Sequence, residues 1–466
     1  MRVARRGAVP EILREKSAVA AGVVLVAAAF VLPRLNWGVD PRRDIGLERF
    51  ALRAGAAPIF GYWDIHAGWG TGPAILIAIA VVAWGSAVAQ RLSWRMLTLG
   101  AWATACGWAF SLAMIDGWQR GFAGRLTTRD EYLSQVPGIS DIPATVRTFS
   151  SRILDFQPDS WTTHVSGHPP GALLTFVWLD RIGLRGGAWA GLLCLLVGSS
   201  AAAAVVIAVR ALADEQTARR AAPFLAVAPT AIWVAVSADG YFAGVAAWGI
   251  ALLALAVHGA VRFPTLVAAG AGLLLGWGVF LSYGLVLMGL PVLAVLVAVV
   301  VAKGPRRTDW RAALRALGPA ALAVVVVAVA FTAAGFYWFD GYMLVQQRYW
   351  QGIAKDRPFQ YWGWANLACV VCAIGLGSVA GISRVFDWAA IRRRSGLHLL
   401  LLAMLVVIVC ADLSMLSKAE TERIWLPFTV WLTAAPALLP APSHRRWLGL
   451  NAAGALLLNS IIFTNW

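Results

Sequence analysis

The chain is poor in charge, since only 13% of its 466 residues are Asp, Glu, Lys or Arg. A chain of this length would ordinarily fold into several soluble domains, but such domains carry roughly 25% charged residues. The shortage of charge excludes that arrangement. Apolar runs of about 20 residues, long enough to cross a bilayer, recur to the end of the sequence. We therefore predict an all-α polytopic membrane protein.

Cysteine is also scarce, and its placement argues against a redox or metal role. All five cysteines lie inside apolar runs. Cys369 and Cys372 have CxxC spacing, but both fall within one predicted membrane span, where neither a redox pair nor a metal site is expected.

Acidic residues are outnumbered, 23 against 39 basic ones, which gives a net charge of +16. The excess does not indicate nucleic-acid binding, because the basic residues cluster in short loops between apolar runs, as the positive-inside rule predicts for a membrane protein. Only four of the basic residues are lysine, and Arg, Ala, Gly and Val dominate. That composition is typical of a high-GC bacterial gene, so we expect a bacterial inner membrane protein. The basic start "MRVARRGAVPEILREK" followed by an apolar run predicts a signal anchor.

The apolar runs predict about thirteen transmembrane helices. They lie at 17–33, 74–90, 96–114, 187–209, 219–236, 241–258, 264–280, 282–302, 314–335, 362–383, 397–414, 424–439 and 446–463. A fourteenth apolar piece, 168–184, is too short for a span and would break the alternation of the basic loops. We predict that it forms a short helix on the outer side, beginning at or just after Pro170.

The basic loops also predict orientation, with the N-terminus inside and the C-terminus outside. The long loops then share the outer face, together with short interfacial helices. These loops are 34–73, 115–168, 336–361 and 415–423. We expect one transmembrane domain over 1–466, made of N-terminal helices in 1–95, a motif-bearing core in 96–245 and C-terminal helices in 246–466.

The stretch "LTTRDEYLSQVP" brings Asp130, Glu131 and Tyr132 together immediately after an apolar run. One interpretation is structural: Thr127 or Thr128 would cap a helix whose first turn carries the two acids. The other is functional, because carboxylates at the mouth of a membrane protein suit proton transfer. A third acid, Asp239 in "SADGYF", lies between two apolar runs, where a charge is costly and usually functional.

Two histidines, His164 and His168, flank "VSG" just before Pro169 and Pro170. The glycine and the prolines exclude a regular helix, and with it a helical metal pair. A loop-built site for a divalent metal, sharing Asp130 or Glu131, remains open.

Basic residues also occur in the predicted outer loops, where the positive-inside rule disfavours them. They are Arg42, Arg43, Arg348, Lys355, Arg357, Lys418 and Arg423. Arginine matches phosphate oxygens with its planar fork, so the pattern suggests a phosphate held at the membrane surface. Alternatively, these residues neutralise nearby acids such as Asp356, Glu420 and Glu422.

The order of these motifs resembles the GT-C superfamily of polytopic glycosyltransferases. An apolar helix is followed by "RDEYL", then "GHPPGALLTFVWL", then "SADGYF" and a late "ETERIWLPF". The likeness is greatest to the branch of protein mannosyltransferases and lipid A aminoarabinose transferases, and covers roughly 96–245. The sequence departs from the family in having an extra hairpin before the Asp-Glu helix. If the family's first helix is instead 17–33, the corresponding acid is Asp40 or Asp44.

The resemblance implies a sugar donor on polyprenyl phosphate and an acceptor in the cell envelope, whether glycan, lipid or protein. It implies that Asp130 is the general base, with Glu131 beside it. The motifs do not identify the sugar; for the envelope of a high-GC bacterium we expect mannose or arabinofuranose. The expected substrate-binding residues are Tyr132, His164, His168, Asp239, Arg348, Lys355, Arg357, Lys418, Glu422 and Arg423.

A different class, a transporter or a flippase for lipid-linked substrates, is the alternative. Its signatures would be inverted repeats and helices broken near the bilayer midplane. The sequence shows neither clearly.

Overall fold

The protein is almost wholly helical in a computed structural model that describes residues 8–35, 52–302, 310–392 and 395–465. Eight helices are long and apolar enough to cross a membrane within these ranges. They are Ile12–Arg34, Thr71–Arg91, Trp94–Ala113, Gly187–Leu212, Ala238–Val257, Pro264–Leu281, Ala313–Ala333 and Gly396–Leu413. A bent pair, Phe359–Ile374 and Leu376–Val385, gives a ninth if it is one span. The prediction of an all-α polytopic membrane protein is confirmed.

Shorter helices complete the described chain. The larger ones are Pro170–Arg181, Glu215–Ala226, Gly289–Ala302, Trp338–Gln351, Leu426–Leu432 and His444–Ile461. Shorter pieces are Ile142–Arg147, Thr163–Ser166, Ala231–Val234, Trp388–Arg392 and Thr421–Ile424. One small antiparallel sheet pairs Gly61–Trp63 with Ile462–Thr464, in the register Gly61 to Thr464.

The count of thirteen spans is not reproduced, because several predicted runs are broken or short. Within the predicted span 219–236, one helix ends at Ala226, and a non-helical step containing Pro229 precedes the next. The predicted span 362–383 bends by 108° at Gly375, whose φ of +78° suits glycine. The predicted spans 282–302 and 424–439 give only the shorter apolar helices Tyr283–Ala298 and Leu426–Leu438. His444–Ile461, at 446–463, opens with His-Arg-Arg and is not among the candidate spans.

The short helix predicted from Pro170 is confirmed in its start and its length. It spans 12 residues, Pro170–Arg181, and its first eight residues are buried. Proline suits this first helical position, where its missing N–H is not needed. Gly171 lies so close to the neighbouring helix that an added Cβ would be 2.4 Å from the carbonyl oxygen of Phe280. The helix is therefore wedged into the bundle and does not cross it.

The segments predicted on the outer side meet at one end of the bundle. The Phe60 N–H donates to Glu422 Oε1 at 2.8 Å, and the Asp155 N–H donates to Gln351 Oε1 at 2.8 Å. The Lys418 N–H donates to the Tyr349 hydroxyl at 3.0 Å. These bonds join four loops far apart in sequence, within the described part of each. The candidate site residues lie in these loops or at the helix ends next to them.

Candidate active site

The Asp-Glu pair lies in an irregular segment that follows the helix Trp94–Ala113. Thr128 is extended, a turn follows, and a short 3₁₀ turn covers Tyr132–Ser134. No α-helix begins there, and Glu131 makes no side-chain capping bond. The interpretation of the pair as a helix cap is therefore wrong. The irregular backbone instead turns the two neighbouring acids toward different surroundings.

Asp130 and Glu131 differ sharply in exposure. The Asp130 side chain is 53% exposed and the Glu131 side chain only 2%. The Asp130 carbonyl accepts the His164 N–H at 3.1 Å, and its carboxylate accepts from the Thr163 hydroxyl at 3.4 Å. These bonds fasten the acid pair to the start of the His164–His168 segment. Asp130 is the member of the pair that solvent or a substrate can reach.

Glu131 is held in a buried pair with His164. A hydrogen bond joins Glu131 Oε1 and His164 Nδ1 at 3.1 Å. Burial raises the pKa of the Glu131 carboxyl to about 8, although the charge of Arg423 opposes the shift. Burial also lowers the pKa of His164 well below its ordinary value, and Arg423 adds to that effect. At neutral pH the pair is therefore a protonated carboxyl donating to a neutral imidazole.

Tyr132, which is buried, and His168, which is partly buried, form a second pair beside the first. His168 Nδ1 lies 2.8 Å from the Tyr132 hydroxyl and 2.8 Å from the His164 carbonyl oxygen. The carbonyl can only accept, which assigns the proton of His168 to Nδ1. Burial lowers the pKa of His168, and Asp239 opposes that effect. The Tyr132 ring also stacks on Phe176 of the short helix, with 5.2 Å between ring centroids.

A chain of alternating charges crosses the buried side of the site. Asp239 Oδ2 lies 3.0 Å from Arg423 Nη1, Arg423 Nη2 lies 3.2 Å from Glu420 Oε2, and Glu420 Oε1 lies 3.1 Å from Arg357 Nη2. Both arginines and Asp239 are almost fully buried. Two carboxylates thus neutralise two guanidinium groups, which is how charge is retained away from water. Ser237 caps the helix that carries Asp239, since its hydroxyl accepts the Gly240 N–H at 3.0 Å.

The loop that presents Glu420 is strained. Ala419 and Glu420 both have left-handed backbone angles, with φ of +70° and +64°. Non-glycine residues avoid this region, and such outliers concentrate at functional sites. Lys418 donates its Nζ proton to the Arg357 carbonyl at 2.7 Å, and Arg357 Nη1 donates to the Lys418 carbonyl at 2.7 Å. Glu422 is buried beneath this loop, and burial raises its pKa to about 7.

Arg348 and Lys355 lie apart from this group of residues, and Arg42 and Arg43 lie outside the described residues. Arg348 pairs with Asp155 and donates from Nε to the Ser166 hydroxyl at 3.2 Å. Lys355 is exposed and forms no ion pair within the described ranges. Three of the outer arginines, Arg348, Arg357 and Arg423, therefore do neutralise nearby acids, which was the alternative interpretation. The partners are Asp155, Asp239 and Glu420.

The remaining predictions concern the alternative acids and a metal. Asp40 and Asp44 lie outside the described residues. No group of three or more His, Cys, Asp or Glu side chains placed to hold a metal ion occurs within the described residues. Glu131 and His164 bond to each other.

Sequence analysis missed Asp155 and Ser166 as partners of Arg348. The contacts join residues 193 and 182 positions apart. Ser166 lies between the two candidate histidines, but no local pattern connects it or Asp155 with Arg348. Glu420 did carry a signal, because it lies in a run of charges between two apolar helices.

No protein-family model and no curated protein matches this chain. Solved structures are similar. The oligosaccharyltransferase of Archaeoglobus fulgidus in complex with zinc and sulfate is 15% identical, at a TM-score of 0.48 over 78% of this chain and 51% of that one. AglB of the same organism, in complex with an inhibitory peptide and a dolichol-phosphate, is 14% identical, at 0.47 over 73% and 50%. ArnT of Cupriavidus metallidurans bound to undecaprenyl phosphate is 16% identical, at 0.48 over 71% and 58%.

The chain thus spans between 50% and 58% of the length of these proteins. TM-scores below 0.5 establish no residue-by-residue correspondence, and the roles proposed below rest on the contacts of this chain.

Proposed function

We propose that this chain is a membrane glycosyltransferase that moves a sugar from a polyprenyl-phosphate donor to an envelope acceptor. The observation that carries the proposal is the meeting of Asp130, the two His-containing pairs and the Asp239–Arg423 ion pair at the loop end of a helical bundle. An exposed carboxylate beside buried, fixed cations suits both halves of the reaction. One half takes a proton from the acceptor hydroxyl, and the other stabilises charge on the departing phosphate.

Asp130 is the proposed general base. Glu131 carries a proton up to about pH 8, and a protonated carboxyl cannot accept another from the acceptor. Glu131 is proposed to have a supporting role. Its bond to His164 fixes the His164–His168 segment, which the Asp130 carbonyl also binds. Tyr132, His164 and His168 are proposed to line the sugar side of the site.

Fixed cations are proposed to meet the phosphate as the bond to the sugar breaks. Arg423 is buried among carboxylates and supplies a preorganised charge that needs no rearrangement. Arg348 is the more accessible candidate, since its side chain is partly exposed and pairs with a partly exposed acid. Arg357, Lys418 and Glu422 support the loop behind Arg423, with Asp239 as its counter-ion. Lys355, which is exposed, is proposed as a contact at the edge of the site.

The proposed location is the inner membrane of a bacterium, with the site on the outer face and mannose or arabinofuranose as the sugar. The acceptor is proposed to be an envelope glycan, lipid or protein. Purified protein incubated with a panel of polyprenyl-phosphate sugars tests this directly. Release of polyprenyl phosphate from one donor, dependent on an added acceptor, is expected. No release from any donor would overturn the proposal.

One observation favours the second candidate, a flippase for lipid-linked substrates. The pair Phe359–Ile374 and Leu376–Val385 is bent by 108°, and broken helices are common in transporters. A flippase would move the intact lipid-linked sugar across vesicles without releasing polyprenyl phosphate, so the same donor panel separates the two functions.

A further inference from the structure

The helix Trp338–Gln351 leaves a stripe of large apolar side chains uncovered. Phe339, Met343 and Trp350 are 62%, 58% and 46% exposed. Their spacings of four and seven residues place them on one face of the helix. In a water-soluble surface such a stripe would be costly, since each side chain loses the free energy of burial.

The opposite face of this helix is firmly attached to the protein. Arg348 lies about 180° from Phe339 at roughly 100° per residue, and it holds Asp155 and Ser166. Gly341 packs so tightly that an added Cβ would lie 2.4 Å from the Tyr283 hydroxyl. The exposure of the stripe is therefore a fixed property of the fold and does not arise from a loosely held helix.

The stripe continues an apolar surface that belongs to a membrane span. The preceding helix, Ala313–Ala333, is long and apolar enough to span a membrane, and its exposed large side chains are valines and leucines, among them Val326 and Val329. The stripe begins at Phe339, six residues after this helix ends. Gly335, with φ of +97°, permits the sharp turn between the two helices, and the exposed Tyr337 lies within that turn.

Other aromatic residues in the outer loops are also exposed. Trp63 belongs to the small sheet, Trp69 directly precedes the span Thr71–Arg91, and Trp118 follows the span Trp94–Ala113. Trp and Tyr gather at the level of lipid headgroups, where one part of the ring is apolar and the other is wet.

We propose that the helix Trp338–Gln351 lies in the interfacial layer of the bilayer, with the stripe of Phe339, Met343 and Trp350 inserted into lipid. Amphipathic helices of this kind bury their apolar face about 5–10 Å into the headgroup and acyl boundary. Asp340, also exposed, flanks the stripe and faces water. The depth of this helix in the interface then fixes how far Arg348, and the loop containing Asp155 and Ser166 that it contacts, lies from the lipid headgroups. This inference does not depend on what the site transfers.

Spin labels measure the proposed insertion directly. The background carries Cys106, Cys372 and Cys410 replaced by Ala, because these cysteines are not fully buried. A nitroxide is attached at Met343→Cys, and in a matched protein at Asp340→Cys, in phosphatidylcholine–phosphatidylglycerol vesicles. We expect oxygen to relax the label at 343 more strongly than a water-soluble nickel chelate does, and the reverse at 340. Phe339→Cys is a second position in the stripe, should Met343→Cys fold poorly.

Two results would overturn the inference. One is a label at 343 or 339 that the nickel chelate reaches as readily as it reaches 340. The other is a label shielded from both reagents, which would show that protein, such as a second copy of this chain, covers the stripe.

Discussion

Two adjacent acids, Asp130 and Glu131, occupy different environments because the backbone between them is irregular. In a regular helix, neighbouring side chains would point only about 100° apart and share one surface. Here one carboxylate reaches solvent while the other is buried against an imidazole. Sequence analysis identified the pair but could not assign separate environments to its members, because the burial of Glu131 depends on His164 from a distant segment.

The buried member of the pair predicts a pH-dependent stability. Folded protein keeps the Glu131 proton up to about pH 8, whereas the unfolded chain releases it near pH 4.5. Between these values the folded state holds more protons, so this carboxyl lowers the free energy of unfolding as pH rises. Glu131→Gln cannot titrate. We expect the melting temperature of the native protein to fall relative to that of the variant from pH 5 to 8.

Thermal melts of both proteins in one detergent supply the measurement, and the other titrating groups cancel in the difference. A difference that stays flat across this range would show that Glu131 is ionised in the folded protein.

Two roles for Arg348 can be separated by experiment: an ion pair with Asp155 alone, or a contact with the donor phosphate as well. Losing a hydrogen bond to a charged group costs about 1.5–3 kcal/mol, which is roughly 10- to 100-fold in affinity. We expect Arg348→Ala to weaken binding of polyprenyl phosphate by that factor. Asp155→Ala removes the same ion pair but keeps the cation, so its affinity should be unchanged or higher.

Titration calorimetry in detergent compares the two variants. An equal loss of affinity in both variants would show that Arg348 has only a structural role, since each variant breaks the same ion pair.

At the scale of elements, hydropathy predicts where helices lie but not where they break. A spanning segment must satisfy its backbone within itself, so each apolar run forms helix. The 108° bend at Gly375 lies in an apolar stretch without proline, which a hydropathy profile cannot separate from a straight span. The end of the helix Glu215–Ala226 shortly before Pro229 could be predicted, because proline disfavours helix at the residue before it.

The short helix Pro170–Arg181 depends on a close approach at Gly171. Gly171→Ala places a methyl group 2.4 Å from the Phe280 carbonyl oxygen, and overpacking of this kind costs about 1–3 kcal/mol. We expect a lower melting temperature for this variant. Gly454→Ala is the matched control, since it lies in a helix with open space around its Cα, and should melt as the native protein does or slightly higher. A Gly171→Ala protein as stable as that control would contradict the packing described here.

At the scale of the whole molecule, the loops predicted on one side do lie together. Charge patterning could predict that grouping, because it follows from the alternation of basic loops. The pairing of Asp239 with Arg423 could not be predicted, since no local pattern connects a helix start with a loop so far along the chain.

The grouping predicts a topology that labelling can test. A single cysteine at Ser140, in the loop after the acid pair, should react with a membrane-impermeant maleimide in intact cells. A cysteine at Arg220, in the helix Glu215–Ala226 on the predicted cytoplasmic side, should react only after the membrane is opened. The reverse pattern would place Asp130 in the cytoplasm and exclude a donor loaded from the outer leaflet.

Polyprenyl-phosphate release by native and Asp130→Asn proteins in the same vesicles measures directly whether this chain transfers a sugar with Asp130 as the base. Asparagine keeps the size of the side chain but cannot take the acceptor's proton, so the variant should turn over about 10²–10⁴-fold more slowly while binding the donor normally. Glu131→Gln, which already mimics the protonated state, should retain most of the activity. Near-native turnover by Asp130→Asn would contradict the account, and it would do so most sharply if Asp40→Asn or Asp44→Asn were inactive.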